Sequence, residues 1–370
     1  MCQATFSFPT SVLYGPGVIG RLLEELQKRR MRAPLIVTDR GLLGTRVMKR
    51  IEALLPKAAV YSGVDPNPTE QNVLEGVAFY SNRTCDSIVA VGGGSAIDAA
   101  KAIRLKATHP FDLAEYDDTV GGSSRISADL PPFIAVPTTA GTGSEVGRST
   151  VVTLGKTNRK TVIFSPYLMP DLAIADPELT VSMPPAITAG TGMDAFTHNV
   201  EAFLAKGFHP ICDAIALGGA KLAYQHLPRV MTDPNDLESR GEMMIAAMMG
   251  AIAFQKGLGA VHSLAHPLST EFGMHHGTSN AVLLPAVLEY NRPAVPDRFH
   301  EFTHQLGKDV ADCTRELNER CGISPRLRDY GIPEDALPGL AEKAIQDGCH
   351  LLNPVPCTAA TLLALYRQAW

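Results

Sequence analysis

Histidines at helical spacing dominate one stretch of the sequence. Residues 256–277 read KGLGAVHSLAHPLSTEFGMHHG, in which His262 and His266 are four residues apart and would share one face of a helix. His276 follows after a short segment that contains Gly273. A histidine pair on a helix is most often a surface or capping feature, so this stretch alone does not establish a metal site.

A second pair of ligand-type residues lies about seventy residues earlier. The segment TGMDAFTHNVEAF carries Asp194 and His198, again four residues apart and among apolar and small residues. One carboxylate and two or three imidazoles converging from two helices are nitrogen and oxygen ligands that suit a divalent transition metal. The two pairs together therefore predict a metal site between two helices.

Two loops rich in glycine and hydroxyl groups follow strand-like segments. GGGS at residues 92–95 comes after the apolar run 87–91, and TTAGTGSE at 138–145 comes after the run 133–136. Glycine lets the backbone approach a phosphate, and free N–H groups at a helix start attract it. The spacing matches neither GxGxxG nor a Walker A loop, so an ordinary turn is the alternative. Because ligands bind at the carboxyl ends of strands in open α/β sheets, two such loops favour a phosphate-bearing cofactor.

Asp39 closes the first clear apolar strand, residues 33–38. A carboxylate at such a strand end accepts hydrogen bonds from the ribose diol of adenosine and repels a 2′-phosphate. The alternative is that Asp39 only caps a helix or turn. Its position beside the two loops favours the ribose interpretation, and so NAD over NADP.

The order of the elements predicts the fold class. Apolar runs alternate with helical patterns through about residue 180, which is typical of βαβ units and a parallel sheet. From residue 183 onward helical patterns dominate, and all the histidines at helical spacing lie there. We predict an α/β domain over residues 1–181 and an all-α domain over 182–370.

Composition excludes several classes of function. With 370 residues, 45% hydrophobic and 19% charged, the chain has the composition of an ordinary globular protein, and its net charge of −5 argues against a nucleic-acid partner. Seven scattered cysteines without a CxxC pair argue against a disulfide framework or a structural zinc site. The segment MCQATFSFPT lacks the features of a secretory signal, and the apolar run 243–254 is too short to span a bilayer. We expect a cytoplasmic protein with neither a membrane nor a nucleic-acid partner.

Four long motifs in order resemble the iron-dependent (group III) alcohol dehydrogenase family. They are GGGSAIDAAKA at 92–102, PTTAGTGSEV at 137–146, GMDAFTHNVEAF at 192–203 and HHGTSNAVLLP at 275–285. The similarity runs from the strand at residue 33 to about residue 291. It implies a Rossmann-like nicotinamide-binding domain and a helical metal-binding domain, a dehydroquinate synthase-like architecture with a deep cleft between them.

The resemblance also implies roles for individual residues. The metal, usually Fe²⁺ and sometimes Zn²⁺, would be bound by Asp194, His198, His262 and His276. His266 would lie beside the metal without binding it and is the nearest ionisable candidate for a proton relay. The implied cofactor contacts, in addition to Asp39, are Asn67, Gly93, Gly94, Ser95, Asp98, Thr138, Thr139, Thr142, Ser144, Lys160 and Leu179.

The activity expected from the resemblance is NAD-dependent, metal-dependent interconversion of a small primary alcohol or ω-hydroxy acid and its aldehyde. The alternatives are a polyol dehydrogenase of the glycerol type and a metal-dependent lyase on the same fold; a regulator that retained the fold is a third. The family's common state is a homodimer, which we expect here also.

Overall fold

The computed structural model describes residues 10–155 and 159–370. The amino-terminal segment on which we based the absence of a signal, except Thr10, lies outside the described residues, as does Cys2. The described chain divides into two compact units, one formed by residues 10–139 with Ser144–Ser182 and the other by Ala140–Gly143 with Met183–Trp370. The short segment Ala140–Gly143 therefore belongs with the second unit, although our sequence boundary at residue 181 placed it in the first domain.

The first unit is built on a six-stranded parallel sheet. The strand order is β1-β8-β5-β4-β2-β3, and an antiparallel hairpin of β6 and β7 stands apart from it. The strands are β1 (Ser11–Tyr14), β2 (Pro34–Asp39), β3 (Ala59–Val64), β4 (Ser87–Gly92), β5 (Phe133–Pro137), β6 (Ser149–Leu154), β7 (Arg159–Phe164) and β8 (Leu172–Ala175).

Alternate residues of the central strands face opposite sides of the sheet and supply two apolar cores. On β4, Ile88 and Ala90 belong to one core, while Val89 and Val91 belong to the other. A strand buried on both faces reads as a continuous apolar run, which is why these strands were visible in the sequence.

Four helices cover the two faces of this sheet. Thr45 caps α2 by accepting a hydrogen bond from the backbone of Met48, and Thr69 forms a capping box with Asn72 at the start of α3. The helices are α1 (Leu22–Lys28), α2 (Arg46–Leu54), α3 (Glu70–Asn82) and α4 (Gly94–Thr108).

The second unit is helical within the described residues. In helix α5, every residue from 188 to 204 is buried. A helix that is buried all round lies in the core, so α5 is the central helix of this unit. The helices are α5 (Pro185–Leu204), α6 (Pro210–Thr232), α7 (Leu237–Ala253), α8 (Ala260–Phe272), α9 (His276–Asn291), α10 (Pro296–Leu306), α11 (Val310–Arg320), α12 (Leu337–Ala344) and α13 (Ala359–Ala369).

The predicted fold class, a parallel α/β unit followed by a helical unit, is confirmed. The six cysteines among the described residues are free. No single helix in residues 10–155 and 159–370 has the length and apolar character needed to cross a membrane, although the bent pair Leu237–Lys256 and Ala260–Phe272 meets that requirement jointly.

Candidate metal centre and nucleotide site

The central helix α5 carries the first two predicted metal ligands. Asp194 and His198 lie one turn apart on it, and they are only 3% and 6% exposed. A buried carboxylate beside a buried imidazole is costly unless the two groups are paired or bind an ion. Their burial therefore indicates that the pair has a function inside the helical unit.

The other predicted ligands come from α8 and from the first residue of α9. His262 lies on α8, and His276 begins α9 after the turn at Gly273, whose positive φ ends α8. Helices α5 and α9 approach closely here, because a Cβ added to Gly277 would lie 1.9 Å from the backbone oxygen of Gly190. Glycine at these positions lets His276 reach the pair on α5.

The three imidazoles converge on one oxygen of the Asp194 carboxylate. Oδ1 of Asp194 lies 3.7 Å from Nε2 of His198, 3.9 Å from Nε2 of His262 and 3.7 Å from Nε2 of His276. These separations exceed hydrogen-bond lengths but approach the roughly 3.4 Å expected between two ligands that each lie about 2.1 Å from one tetrahedral ion. The ligand atoms of Asp194, His262 and His276 all lie within 4.8 Å of one another, a spacing that fits a divalent metal. These three residues would hold it, with His198 as the fourth ligand from its position 3.7 Å from the same oxygen of Asp194.

Glu201, which lies one turn after His198 on α5, fixes the orientation of His262. Its Oε2 accepts a hydrogen bond from Nδ1 of His262 at 2.6 Å, and its Oε1 accepts one from the backbone N–H of Val261 at 2.7 Å. A carboxylate that holds the outer nitrogen of a histidine directs the other nitrogen to a metal and raises its basicity. Glu201 therefore turns Nε2 of His262 toward Asp194.

Asn280 supports the carboxylate itself. Its Nδ2 donates a hydrogen bond to Oδ1 of Asp194 at 2.8 Å and lies 3.4 Å from Nε2 of His262 and 3.3 Å from Nε2 of His276. Asn280 is one turn after His276 on α9 and is fully buried. It therefore contacts three of the four converging side chains.

The electrostatic setting differs between the two most buried histidines. Burial lowers the pKa of His198, although the charge of Asp194 and a hydrogen bond to the backbone of Gly141 oppose it. Burial alone would also lower the pKa of His262, but the hydrogen bond and charge of Glu201 outweigh burial and raise it. A proton and a metal ion would compete for Nε2 of these histidines, so binding of a metal here would release protons.

His266 lies beside this cluster. Its ring stacks on that of His276 at a centroid distance of 5.3 Å and an interplanar angle of 17°. Its Nδ1 is hydrogen-bonded to Oδ2 of Asp347 at 2.7 Å. The neighbouring His275 is exposed, whereas His276 contributes to the cluster.

The glycine loop of the first unit lies at the start of α4. Strand β4 ends at Gly92, whose φ is +155°, and α4 begins at Gly94. A Cβ on Gly93 would lie 3.0 Å from the side chain of Thr139, and the Ser95 hydroxyl donates to the carbonyl of Pro66. The first N–H groups of a fifteen-residue helix are thus next to a glycine turn, an arrangement that suits a phosphate.

Asp39 and the loop after β5 flank this turn, because β2 and β5 pair with β4 on either side. Thr138 donates its backbone N–H to the carbonyl of Gly92 at 3.0 Å and is buried. A Cβ placed on Gly92 would lie 3.6 Å from Oδ2 of Asp39. Oδ1 of Asp39 accepts the backbone N–H of Leu42 at 3.1 Å, so the carboxylate also caps the turn after β2.

Asp98 and Ser144 are joined to each other. The hydroxyl of Ser144 donates to Oδ1 of Asp98 at 2.5 Å, and the backbone N–H of Val151 donates to Oδ2 at 3.0 Å. Burial raises the pKa of Asp98. The carboxylate of Asp98 therefore anchors the loop that carries Ser144.

Lys101 and Glu145 are two buried ionisable residues at the same loop. Nζ of Lys101 donates to the backbone oxygens of Ser144, Gly147 and Ser149 at 2.7–2.9 Å, and burial lowers its pKa to about 8. Burial raises the pKa of Glu145 to about 7. Lys101 thus holds the loop by its backbone, a role that we did not predict.

The remaining predicted cofactor contacts are more dispersed. Asn67 is half-buried next to Pro66, and Lys160 is half-buried on β7 opposite Thr153. Thr142 groups with the helical unit. The side chain of Leu179 is 2% exposed and belongs to an apolar core, so that it packs against protein.

Three residues of the site were missed by sequence reasoning. Glu201 and Asn280 carried a readable signal, since each lies one turn after a predicted ligand on the same helix. Asp347 carried none, because it is more than eighty residues from His266 in the sequence and lies where the family resemblance is thin.

Comparison with known proteins matches both units to one family. The sequence profile of iron-containing alcohol dehydrogenases matches residues 9–177, and that of the carboxyl-terminal domain of the Fe-containing alcohol dehydrogenase family matches residues 188–370. A 4-hydroxybutyrate dehydrogenase of Cupriavidus necator is 42% identical, covering 95% of this chain and 96% of its own. A 1,3-propanediol dehydrogenase of Klebsiella pneumoniae is 38% identical, covering 98% and 97%. The crystal structure of sulfoacetaldehyde reductase from Bifidobacterium kashiwanohense in complex with NAD⁺ is similar with a TM-score of 0.91 at 31% identity, covering 99% and 98%.

Proposed function

Because this chain belongs to the iron-containing alcohol dehydrogenase family, we propose that it is an NAD-dependent and metal-dependent dehydrogenase. Its reaction would interconvert a small primary alcohol or ω-hydroxy acid and the corresponding aldehyde. The observation that carries the proposal is the convergence of three imidazole nitrogens on one oxygen of Asp194, at 3.7–3.9 Å.

The metal proposed is Fe²⁺, with Zn²⁺ as the alternative for the same ligands. A divalent ion bound there would act as a Lewis acid that lowers the pKa of an alcohol and polarises an aldehyde carbonyl. The protein's own contribution is to hold the ligands. Glu201 orients His262, and Asn280 orients Asp194, through hydrogen bonds of 2.6 and 2.8 Å.

The α/β unit is the proposed binding site of NAD. Gly93, Gly94 and Ser95 would bind the pyrophosphate at the start of α4, while Asp39 would accept hydrogen bonds from the adenosine ribose. The similar sulfoacetaldehyde reductase was crystallised with NAD⁺. The nicotinamide supplies the hydride chemistry, and the protein supplies binding and orientation.

His266 is the proposed proton acceptor. Oxidation of an alcohol removes a hydride from the carbinol carbon and a proton from the hydroxyl, and the proton must leave for solvent. His266 stacks on His276 and is 18% exposed at its side chain, so it lies between the cluster and water-accessible surface.

The substrate class is proposed from the relatives. One acts on 4-hydroxybutyrate and another on 1,3-propanediol, both short molecules with a primary alcohol. The proposed partners are therefore this small alcohol or aldehyde and a second copy of the chain in a homodimer, with the cytoplasm as the proposed location.

A substrate panel tests the proposal. The metal-stripped protein would be reconstituted separately with Fe²⁺ and Zn²⁺ and assayed with NAD and NADP against 4-hydroxybutyrate, 1,3-propanediol, 1-butanol and glycerol. We expect turnover of the first three with NAD, lost on chelation and restored by metal. Turnover of glycerol alone would establish the polyol alternative. Absence of alcohol-dependent NADH formation with either metal would contradict a dehydrogenase.

A further inference from the structure

The segment after α12 reaches back to α8, the helix that carries His262 and His266. Asp347 accepts three hydrogen bonds there: from Nδ1 of His266 at 2.7 Å, from the hydroxyl of Ser263 at 2.7 Å and from the backbone N–H of Cys349 at 2.8 Å. The backbone N–H of His350 donates in turn to Ser263 at 2.8 Å. The carboxylate is therefore held by donors from two separate parts of the chain.

The groups around Asp347 favour its carboxylate form. Burial alone would raise its pKa, but the charge and hydrogen bond of His266 and the other donors outweigh burial and hold the pKa of Asp347 well below its usual range. A fixed anion bound to one nitrogen of an imidazole determines which ring nitrogen carries the proton. Here it favours a proton on Nδ1 of His266, the nitrogen that lies 2.7 Å from Oδ2 of Asp347.

The hydrogen bond to Asp347 distinguishes the two ring nitrogens of His266. With Nδ1 bonded to Asp347, Nε2 is the other nitrogen of a ring that stacks on His276 and meets His262 edge-on at 6.1 Å. Asp347, Cys349 and His266 also place potential ligand atoms within 4.8 Å of one another. The hydrogen bonds already made by Asp347 favour an orienting role for this group over a second metal.

We propose that Asp347 is a positioning residue that fixes the ring orientation and the Nδ1–H tautomer of His266, so that Nε2 accepts the proton released by the alcohol. This inference rests on the proposed dehydrogenase function. In the oxidation, the C–H bond would break with its electron pair going to the nicotinamide, and the O–H bond would break with its proton going to Nε2 of His266. That proton would then pass to water.

A double-mutant cycle separates positioning from a structural role. Asp347→Asn keeps the size of the side chain but presents an amide N–H₂ that favours the opposite tautomer of His266. We expect kcat to fall roughly 100-fold, the scale of a general acid–base contribution. In a His266→Ala background the same change should cause no further loss, because the group that it positions is absent.

Controls exclude other causes of the loss. Metal content and NAD affinity of Asp347→Asn should stay at wild-type values, and its circular dichroism should show a folded protein. Asp335→Asn, an exposed carboxylate on the same part of the chain, should leave kcat unchanged. An equal loss of kcat in the wild-type and His266→Ala backgrounds would overturn the proposal and assign Asp347 a structural role.

A spectroscopic experiment tests the pair without relying on turnover. Zinc-loaded protein labelled with ¹⁵N-histidine should show His266 protonated on Nδ1 in the wild type and on Nε2 in Asp347→Asn. His266 with an unprotonated Nδ1 in the wild type would overturn the proposal even if Asp347→Asn failed to fold. If the wild type oxidised none of the alcohols but showed the expected tautomer, the proposed function would fail while the pairing of Asp347 with His266 would stand.

Discussion

Replacing Glu201 by Gln should weaken metal binding without removing a metal ligand. The carboxylate of Glu201 accepts two hydrogen bonds, one from Nδ1 of His262 and one from the backbone of Val261. Glutamine has one side-chain oxygen, so one of these donors would face an N–H₂ group. The Nδ1–H of His262 becomes more polar when Nε2 binds a cation, so the metal-loaded state loses more than the metal-free state.

The expected loss of metal affinity follows from the loss of one hydrogen bond. Losing one hydrogen bond to a charged group costs about 1.5–3 kcal/mol. Since about 1.4 kcal/mol corresponds to a tenfold change in an equilibrium constant, the affinity should fall by about 10- to 100-fold. The same range is typical of changes to residues that orient a metal-binding histidine.

Competition for Zn²⁺ against a chromophoric chelator measures this affinity directly. Glu301→Gln, an exposed change on α10, is the matched control and should bind Zn²⁺ as the wild type does. Circular dichroism would verify that both variants are folded. A folded Glu201→Gln protein with wild-type zinc affinity would refute the role given to Glu201.

Three further predictions concern cofactor choice, packing and a buried carboxyl group. Asp39→Gly should raise the kcat/KM ratio of NADP to NAD by about tenfold or more, because a negative charge is removed; an unchanged ratio would contradict the ribose role. Gly277→Ala should destabilise by about 1–3 kcal/mol in denaturant unfolding, because its Cβ would overlap the backbone oxygen of Gly190, whereas Gly339→Ala has open space. Burial raises the pKa of Glu145 from 4.5 to about 7. Between these two pH values the Glu145 carboxyl is protonated in the folded protein but ionised in the unfolded chain, so the free energy of unfolding falls as the pH rises. Glu145→Gln should abolish this decrease, which amounts to up to about 3 kcal/mol, when denaturant unfolding is measured at pH values below and above the two pKa values. An unchanged pH dependence of unfolding in the variant would contradict the raised pKa of Glu145.

The sheet could be predicted where strands are buried on both faces. The apolar runs at 33–38, 87–91 and 133–136 correspond to β2, β4 and β5. The four-residue strands β1 and β8 and the hairpin of β6 with β7 were not identified. Their pairing depends on neighbours distant in the sequence, and their short or alternating patterns resemble loops and surface strands.

The site was predictable only in its local parts. Helical spacing relates Asp194 to His198 and His262 to His266, but it does not pack α5 and α8 against α9. That approach depends on packing, including the contact of Gly277 with Gly190, which a sequence presents only as two more glycines. Asp347 could not be predicted for the same reason, because only the tertiary structure brings it within hydrogen-bond distance of His266.

Elemental analysis of His276→Ala beside His275→Ala tests the metal centre most directly. The two histidines are adjacent in sequence, but only His276 contributes to the cluster with Asp194 and His262. We expect His276→Ala to lose its metal and its dehydrogenase turnover while still binding NAD in a titration, and His275→Ala to keep the metal. Stoichiometric metal and normal turnover in His276→Ala would contradict the metal centre described here.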